Sequence, residues 1–391
     1  MSKKLTLLLT IVLASLGVFF MVRSQWVSNY FLNKKIEKCS SQNDQKCFVD
    51  LVMQTFEKKG LNDSLDLVAS VYERDPKFAA TCHEVGHLLG KETYKLFKDQ
   101  KDFKISPKVA FCSYGFYHGF MESLASKEGD VKKAKEFCQY VDSQISKETP
   151  DATLQCFHGL GHGWVNVHDD KNLWGDDMGA IKKGISLCEK VANDESELSR
   201  CATGVFNGIA VFYTTGEYEM KAKEDDPLIV CKLQEFKYQD PCYISMNVML
   251  MDLAKGDLFK AASYITHIKD DEIANHAMLN LSVMMGLENI NSVNHEKGIG
   301  ICRSLQRRLV NACINGYAFA FLEHGEPGKE YVKSIDFCKN ILLNPTERNS
   351  CLSYIYAYLV QWYPEDKVAS ICNSQEGDRD LCISSTLRES N

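Results

Sequence analysis

At 391 residues, with 45% apolar and 25% charged side chains, the chain can bury a substantial core as one long domain or two. Its net charge of −7 and its lack of any long basic run make nucleic acid a poor partner, because phosphate binding needs clustered Lys and Arg. The 16 cysteines stand out, and with no C-x-x-C among them they speak against zinc ribbons and c-type haem attachment.

Two lysines in the first four residues precede Leu5 to Val22, an uncharged run of 18 residues. At about 1.5 Å per residue this spans roughly 27 Å, close to the hydrocarbon thickness of a bilayer. The run exceeds the usual apolar core of a cleaved signal, and no A-x-A-like site follows it. Arg23 closes the run, and Trp26 and Tyr30 suit the interface. Residues 1–24 therefore read as a signal anchor that is a transmembrane helix, with a cleaved signal peptide as the alternative. Lysines flank both ends of the run, so the cysteines fix the orientation. The chain reads as a single-pass membrane protein with its body in the periplasm or extracellular space.

Beyond the anchor the cysteines fall into neighbours: Cys39 with Cys47, Cys82 with Cys112, Cys138 with Cys156, Cys188 with Cys201, Cys231 with Cys242, Cys302 with Cys313, Cys338 with Cys351, and Cys372 with Cys382. The surrounding text rhymes. An apolar residue and Cys end one helix, a polar turn follows, and a second Cys opens an apolar helix. Second-cysteine positions 112, 156, 201 and 242 step by 44, 45 and 41 residues. That period fits stacked helical hairpins, a solenoid-like array with repeats of roughly tetratricopeptide type and size. A disulfide across each turn limits the unfolded chain, contributing on the order of 3 kcal/mol apiece. The segment between Cys242 and Cys302 keeps the apolar rhythm without cysteines, as a degenerate repeat would. Alternating runs and Asn-Gly or Asp-Gly turns between them are scarce, so the fold class is all-α. Text rich in Gly, Asp and His between Asp151 and Asp177 is expected to contain the longest loop. The chain divides into the anchor (1–24), a helical linker and first hairpin (25–78), His-rich repeats holding a metal site (79–220), and further disulfide-stapled repeats (221–391).

Five of the ten histidines occur in three adjacent cysteine-flanked segments: His83 and His87, then His118, then His158 and His162. On helices the paired histidines lie one turn apart on one face, and Glu122 stands in the same relation to His118. Inward-facing His and carboxylates at this spacing are how helical bundles build metal centres. The segments share the pattern Cys112-x-x-Gly115-x-x-His118-Gly119 and Cys156-x-x-Gly159-x-x-His162-Gly163, with Asn207 replacing His in a third copy, Cys201-x-x-Gly204-x-x-Asn207-Gly208. Glycine inside a helix costs about 1 kcal/mol relative to Ala, so its recurrence implies close helix contact or close approach of a ligand to the backbone. Imidazole ligation without an available thiolate favours Zn, Cu or Fe, and five imidazoles with a carboxylate could hold two metals. Haem held by His is a further option, with Gly115, Gly119, Gly159 and Gly163 giving room for the macrocycle.

His83-Glu84-Val85-Gly86-His87 also resembles the HExxH zinc helix of zincin metallopeptidases. That resemblance covers five to eight residues and implies His83 and His87 as zinc ligands and Glu84 as general base. Gly90 fits the longer HExxHxxG form, whereas the next metzincin ligand would fall on Thr93; Glu122 is then the candidate third ligand. The Cys156 segment repeats the His spacing with Gly159 where the base would be. His168, Asp169, Asp170, Asp176 and Asp177 lack EF-hand spacing and read as a solvated acidic loop. His267, His276, His295 and His324 are scattered and read as structural or solvent-facing. Three functions fit: a membrane-anchored protein whose His/Glu metal or haem site serves metal binding or redox work, a zinc hydrolase, or a helical-repeat scaffold with structural histidines offering a groove to a protein partner.

Overall fold

Apolar residues recur three and four apart along most of the chain, and the backbone answers with helices. The computed structural model describes residues 32–41, 45–75, 78–99, 104–128, 131–166, 168–340 and 342–387; these residues contain no strand. The expected anchor at 1–24 lies outside them. No helix among the described residues is long and apolar enough to cross a membrane.

The chain forms two units, Met1–Lys58 and Lys59–Asn391. In the first, α1 (32–41) and α2 (Gln45–Lys59) are joined by the Cys39–Cys47 disulfide, with Ile36, Phe48 and Val52 buried.

The second unit begins with α3 (Leu61–Arg74), α4 (Ala79–Lys98) and α5 (Gly115–Glu128). Hairpins follow: α6 (Val131–Ile145) with α7 (Ala152–Val165), α8 (Asp177–Val191) with α9 (Glu195–Thr215), and the short α10 (Ile229–Lys232) with α11 (Phe236–Ser245). After α12 (Asn247–Leu253) come α13 (Leu258–Ile265) with α14 (Asp271–Glu288) and α15 (Glu296–Arg303) with α16 (Val310–His324). The last two pairs are α17 (Glu330–Cys338) with α18 (Pro345–Trp362) and α19 (Glu365–Asn373) with α20 (Arg379–Thr386). Helices α4, α5, α7, α9, α11, α14, α16 and α18 each pack on the next, forming one continuous layer. The other helix of each hairpin packs on its partner from outside.

Local sequence sets the helix ends. The Asp176, Asp194, Asp257 and Asp270 side chains accept hydrogen bonds from the first-turn amides of α8, α9, α13 and α14. A capping box of Asn344 and Glu347 with Pro345 opens α18, and Gly216, at φ 70°, closes α9.

All eight disulfides join neighbouring cysteines, and no cysteine is free. Five of them tie the end of an outer helix to its partner in the continuous layer, such as Cys138–Cys156 from α6 to α7 and Cys302–Cys313 from α15 to α16, and Cys372–Cys382 joins α19 to α20 in the same way. The cysteine-free stretch forms the hairpin α13–α14, which is held without a disulfide, by packing and by Arg308, whose guanidinium binds Asp271 and the Thr266 and Ile268 carbonyls. Eight disulfides imply formation in an oxidising, extracytoplasmic compartment. One expectation needs correction: the text between Asp151 and Asp177 does not hold the longest loop, since 216–228 between α9 and α10 is longer, and the Gly- and His-rich part after Asp151 is largely helix. Ala152–Val165 is α7, and the interruption before α8 is confined to 166–176. Its glycines disfavour helix on their own, but without a Cβ they let neighbouring helices pack close, and that packing holds the segment helical.

The layer curls so that its last hairpins meet its first. The Asp151 backbone N–H donates to the Gln361 carbonyl at 3.2 Å, and Ser113 Oγ donates to the Glu323 carbonyl at 2.9 Å. The Tyr114 ring lies 5.4 Å from Trp362. These contacts join residues more than 200 positions apart and put the end of α16 beside the start of α5.

Candidate metal centre

Helix α5 lies between α4 and α7, packed on both. Glycines set how close it comes. A Cβ at Gly115 would overlap the His83 carbonyl oxygen, and one at Gly119 the His87 carbonyl oxygen. On the other side, a Cβ at Gly159 would sit 2.8 Å from the Tyr117 carbonyl oxygen, and one at Gly163 would overlap Ala125 Cβ. These four glycines therefore seat helix on helix. The room reserved at them for a macrocycle is taken by neighbouring backbone and side chains.

With the backbones so close, short imidazole side chains from three helices reach one another. The rings of His83, His87 and His118 lie 5.0 to 5.1 Å apart by centroid. His118 is 5.0 Å from His158 and 4.6 Å from His162, which are 5.0 Å from each other. The donor nitrogens form two groups, His83 with His87 and His118, and His118 with His158 and His162, each with its donors within 4.8 Å of one another. His118 belongs to both.

Outer hydrogen bonds orient the rings. His83 Nδ1 lies 3.0 Å from the Cys112 carbonyl, which can only accept, so Nδ1 carries the proton and Nε2 the free lone pair. His158 Nδ1 lies 2.8 Å from Thr203 Oγ1. Thr203 gives its own proton to the Arg200 carbonyl at 2.6 Å, so it accepts from His158, again leaving Nε2 free. Asn207 faces the His162 ring and acts to raise its basicity, while His162 Nε2 is buried with no partner among the described residues. His87 Nε2 lies 3.1 Å from His118 Nδ1. Cys112, Ser113 and Tyr114 hold left-handed φ values of 61°, 52° and 58°, costly for residues with a Cβ. That turn aims the Cys112 carbonyl at His83.

Burial dominates the electrostatics. It pushes His87 down to about 2 and His162 down to about 4, with neighbouring imidazoles adding to both shifts. Burial first, and then the other rings and nearby charges, also lowers His118 and His158 far below the usual histidine range; His83 moves the same way, mainly through burial. All five are neutral at pH 7, the form that binds metal.

The two carboxylates singled out in the sequence sit apart from the converging donors. Glu84 faces solvent. Glu122 Oε2 lies 3.8 Å from Lys91 Nζ, and burial raises its carboxyl. The acidic loop behaves as ordinary capping: Asp170 receives the Asn172 amide, Asp176 caps α8, and Asp177 accepts from Tyr213 Oη at 2.5 Å.

No family model, curated protein or solved structure matches this chain. The site therefore has to be read from its own chemistry. Sequence reasoning missed its far wall. His324, read as scattered, has Nδ1 2.8 Å from Ser113 Oγ, and its charge would bear on His83. Glu323 beside it keeps 32% of its side-chain surface accessible, and burial raises its carboxyl while His83 and Arg200 lower it. Arg200 Nη2 lies 3.0 Å from Asp151 Oδ2; Arg200 is 32% accessible and Asp151 only 6%. Nothing in the local sequence of these groups marks them. Asn207 alone carried a signal, as the polar survivor of the third Cys-x-x-Gly-x-x-His-Gly copy.

Proposed function

We propose that this protein binds a transition metal ion, zinc or copper, through the imidazoles of α4, α5 and α7, and that it does so on the oxidising side of a membrane to which residues 1–24 anchor it. The observation that carries this reading is the convergence of four imidazoles on a fifth, His118, with orienting hydrogen bonds outside the cluster. A structural histidine satisfies both ring nitrogens with neighbouring polar groups; here His162 Nε2 is buried with no partner among the described residues, and His83 and His158 use Nδ1 for their outer hydrogen bonds, leaving Nε2 as the lone-pair nitrogen. The converging donors include neither carboxylate nor thiolate, since every cysteine is in a disulfide. Such a set suits borderline ions over Ca or Mg.

When bound, the ion would supply Lewis-acid or one-electron chemistry according to its identity. The protein's own part is to hold neutral donors at fixed spacing. Zinc hydrolysis is the weaker reading, because Glu84, the base that the zincin resemblance implies, points to solvent.

The test is metal content of the full-length oxidised protein in detergent, followed by titration with Zn(II) and Cu(II). Stoichiometric binding is expected, with loss of more than 100-fold in affinity for His118→Ala and no change for His276→Ala, whose ring pairs with Asp240 at 3.1 Å. Absence of stoichiometric binding by the wild-type protein overturns the reading.

A further inference from the structure

Five imidazoles exceed what one zinc or copper ion ordinarily takes from a protein. They are also not arranged as one set. His83, His87 and His118 form one group of three, and His118, His158 and His162 the other. The overlap arises because α5 lies between α4 and α7, and His118 is its only contribution.

Ring orientation gives the division its chemistry. His118 Nδ1 lies on the α4 side, 3.1 Å from His87 Nε2. That distance is close to the edge of a tetrahedron with metal–nitrogen bonds of about 2.0–2.1 Å, roughly 3.4 Å. With Nδ1 directed to α4, Nε2 on the opposite side of the ring is left for the α7 pair, whose rings are 4.6 and 5.0 Å away. His83 and His158 are held through Nδ1 from outside, and His162 offers a buried Nε2 with no partner among the described residues. Each group thus has three nitrogens available: His83 Nε2, His87 Nε2 and His118 Nδ1 on one side, and His158 Nε2, His162 Nε2 and His118 Nε2 on the other.

We propose that the cluster is a two-ion centre in which the His118 ring bridges the ions as an imidazolate, Nδ1 to an ion held by His83 and His87, Nε2 to an ion held by His158 and His162. The proposal rests on the metal-binding reading and extends it. A neutral imidazole has one free lone pair, so binding of the second ion displaces the remaining His118 N–H proton to solvent. No electron is transferred in assembly. Each ion then has three protein nitrogens and an open position, the arrangement of reactive sites more than of purely structural ones.

The experiment loads the full-length oxidised protein with Cu(II) and measures both stoichiometry and the paramagnetic resonance spectrum. Two ions per chain are expected, with the spectrum of isolated Cu(II) largely lost at low temperature, because an imidazolate couples the two spins. His162→Ala should bind one ion per chain and regain the isolated Cu(II) spectrum, and His83→Ala should do the same from the other side. Far-UV circular dichroism and a thiol count confirm that each variant is folded and oxidised. Zero ions in the wild-type protein overturns the metal reading itself. One ion per chain, or two ions with simply additive spectra, leaves that reading standing and overturns the bridge; the wild-type measurement alone decides between them.

Discussion

Replacing Gly119 by Ala tests whether close contact of α4 and α5 builds the metal centre. The new Cβ would overlap the His87 carbonyl oxygen and lie 2.7 Å from its carbon and 2.9 Å from its Cα. Those are backbone atoms, with no flexible side chain to yield. Restoring a 3.4 Å contact with the carbonyl carbon alone takes a shift of α4 of about 0.7 Å, and relieving the overlap with the oxygen takes more. Overpacking of this kind costs about 1–3 kcal/mol, and the upper end applies because backbone must move. Ala regains about 1 kcal/mol of helix propensity, leaving a net loss of about 2 kcal/mol. Gly300 is the matched control: it lies inside α15, is exposed, and a Cβ there meets nothing within 4 Å. Gly300→Ala should stabilise by about 0.5–1 kcal/mol. Urea midpoints of the oxidised proteins give the comparison, and the visible spectrum of bound Co(II) reports the donor geometry. Gly119→Ala should lower the midpoint and alter the spectrum, whereas Gly300→Ala should raise the midpoint and leave the spectrum alone. Equal midpoints for the two variants would refute the argument that glycine at 119 sets the helix spacing.

Burial pushes the Glu330 carboxyl up from 4.5 to about 7, outweighing its hydrogen bonds from Tyr363 and Gly328. Between those values the folded state holds more protons than the unfolded one, so stability should fall by about 3 kcal/mol as pH rises from 4.5 to 7 and stay level above. Urea midpoints of wild type and Glu330→Gln at pH 5 and 8 check this; an equal pH dependence in the variant would contradict it. Arg200→Met strands the 6% exposed Asp151 charge and should cost about 3 kcal/mol, most of it recovered when Asp151→Asn is added. Additive losses in the double variant would show that the pair is not coupled. Serine at both Cys302 and Cys313 should lower stability by about 3 kcal/mol without changing metal affinity. Serine at both Cys82 and Cys112 should weaken metal binding too, because Cys112 supplies the carbonyl that holds His83. Identical metal affinity in the two pairs would count against that role.

The hairpins and their cross-links were legible because both are local. A cysteine ending one helix and another opening the next fix the pairing within 8 to 30 residues, and all eight disulfides follow that order. The gathering of the five histidines was legible as a possibility through their spacing and their repeated glycines. What those glycines do was not: Gly115 and Gly119 could have faced a ligand, and only the neighbouring helix shows that they face carbonyls. Glu323 and His324 were illegible because curvature accumulated over many hairpins brings them to the site, and Arg200 because its role depends on how the neighbouring helix α9 packs on α7. Their own surroundings read as unremarkable helix. Glu84 shows the converse, a conspicuous motif residue that the helix turns outward.

Pairing between consecutive cysteines has a consequence for biogenesis. A polypeptide threaded into an oxidising compartment from its N-terminus exposes its thiols one at a time. Here each new thiol of even rank meets its correct mate, already waiting and otherwise unattached. Maturation could then proceed hairpin by hairpin during export, with no need for an isomerase to reshuffle wrongly joined partners.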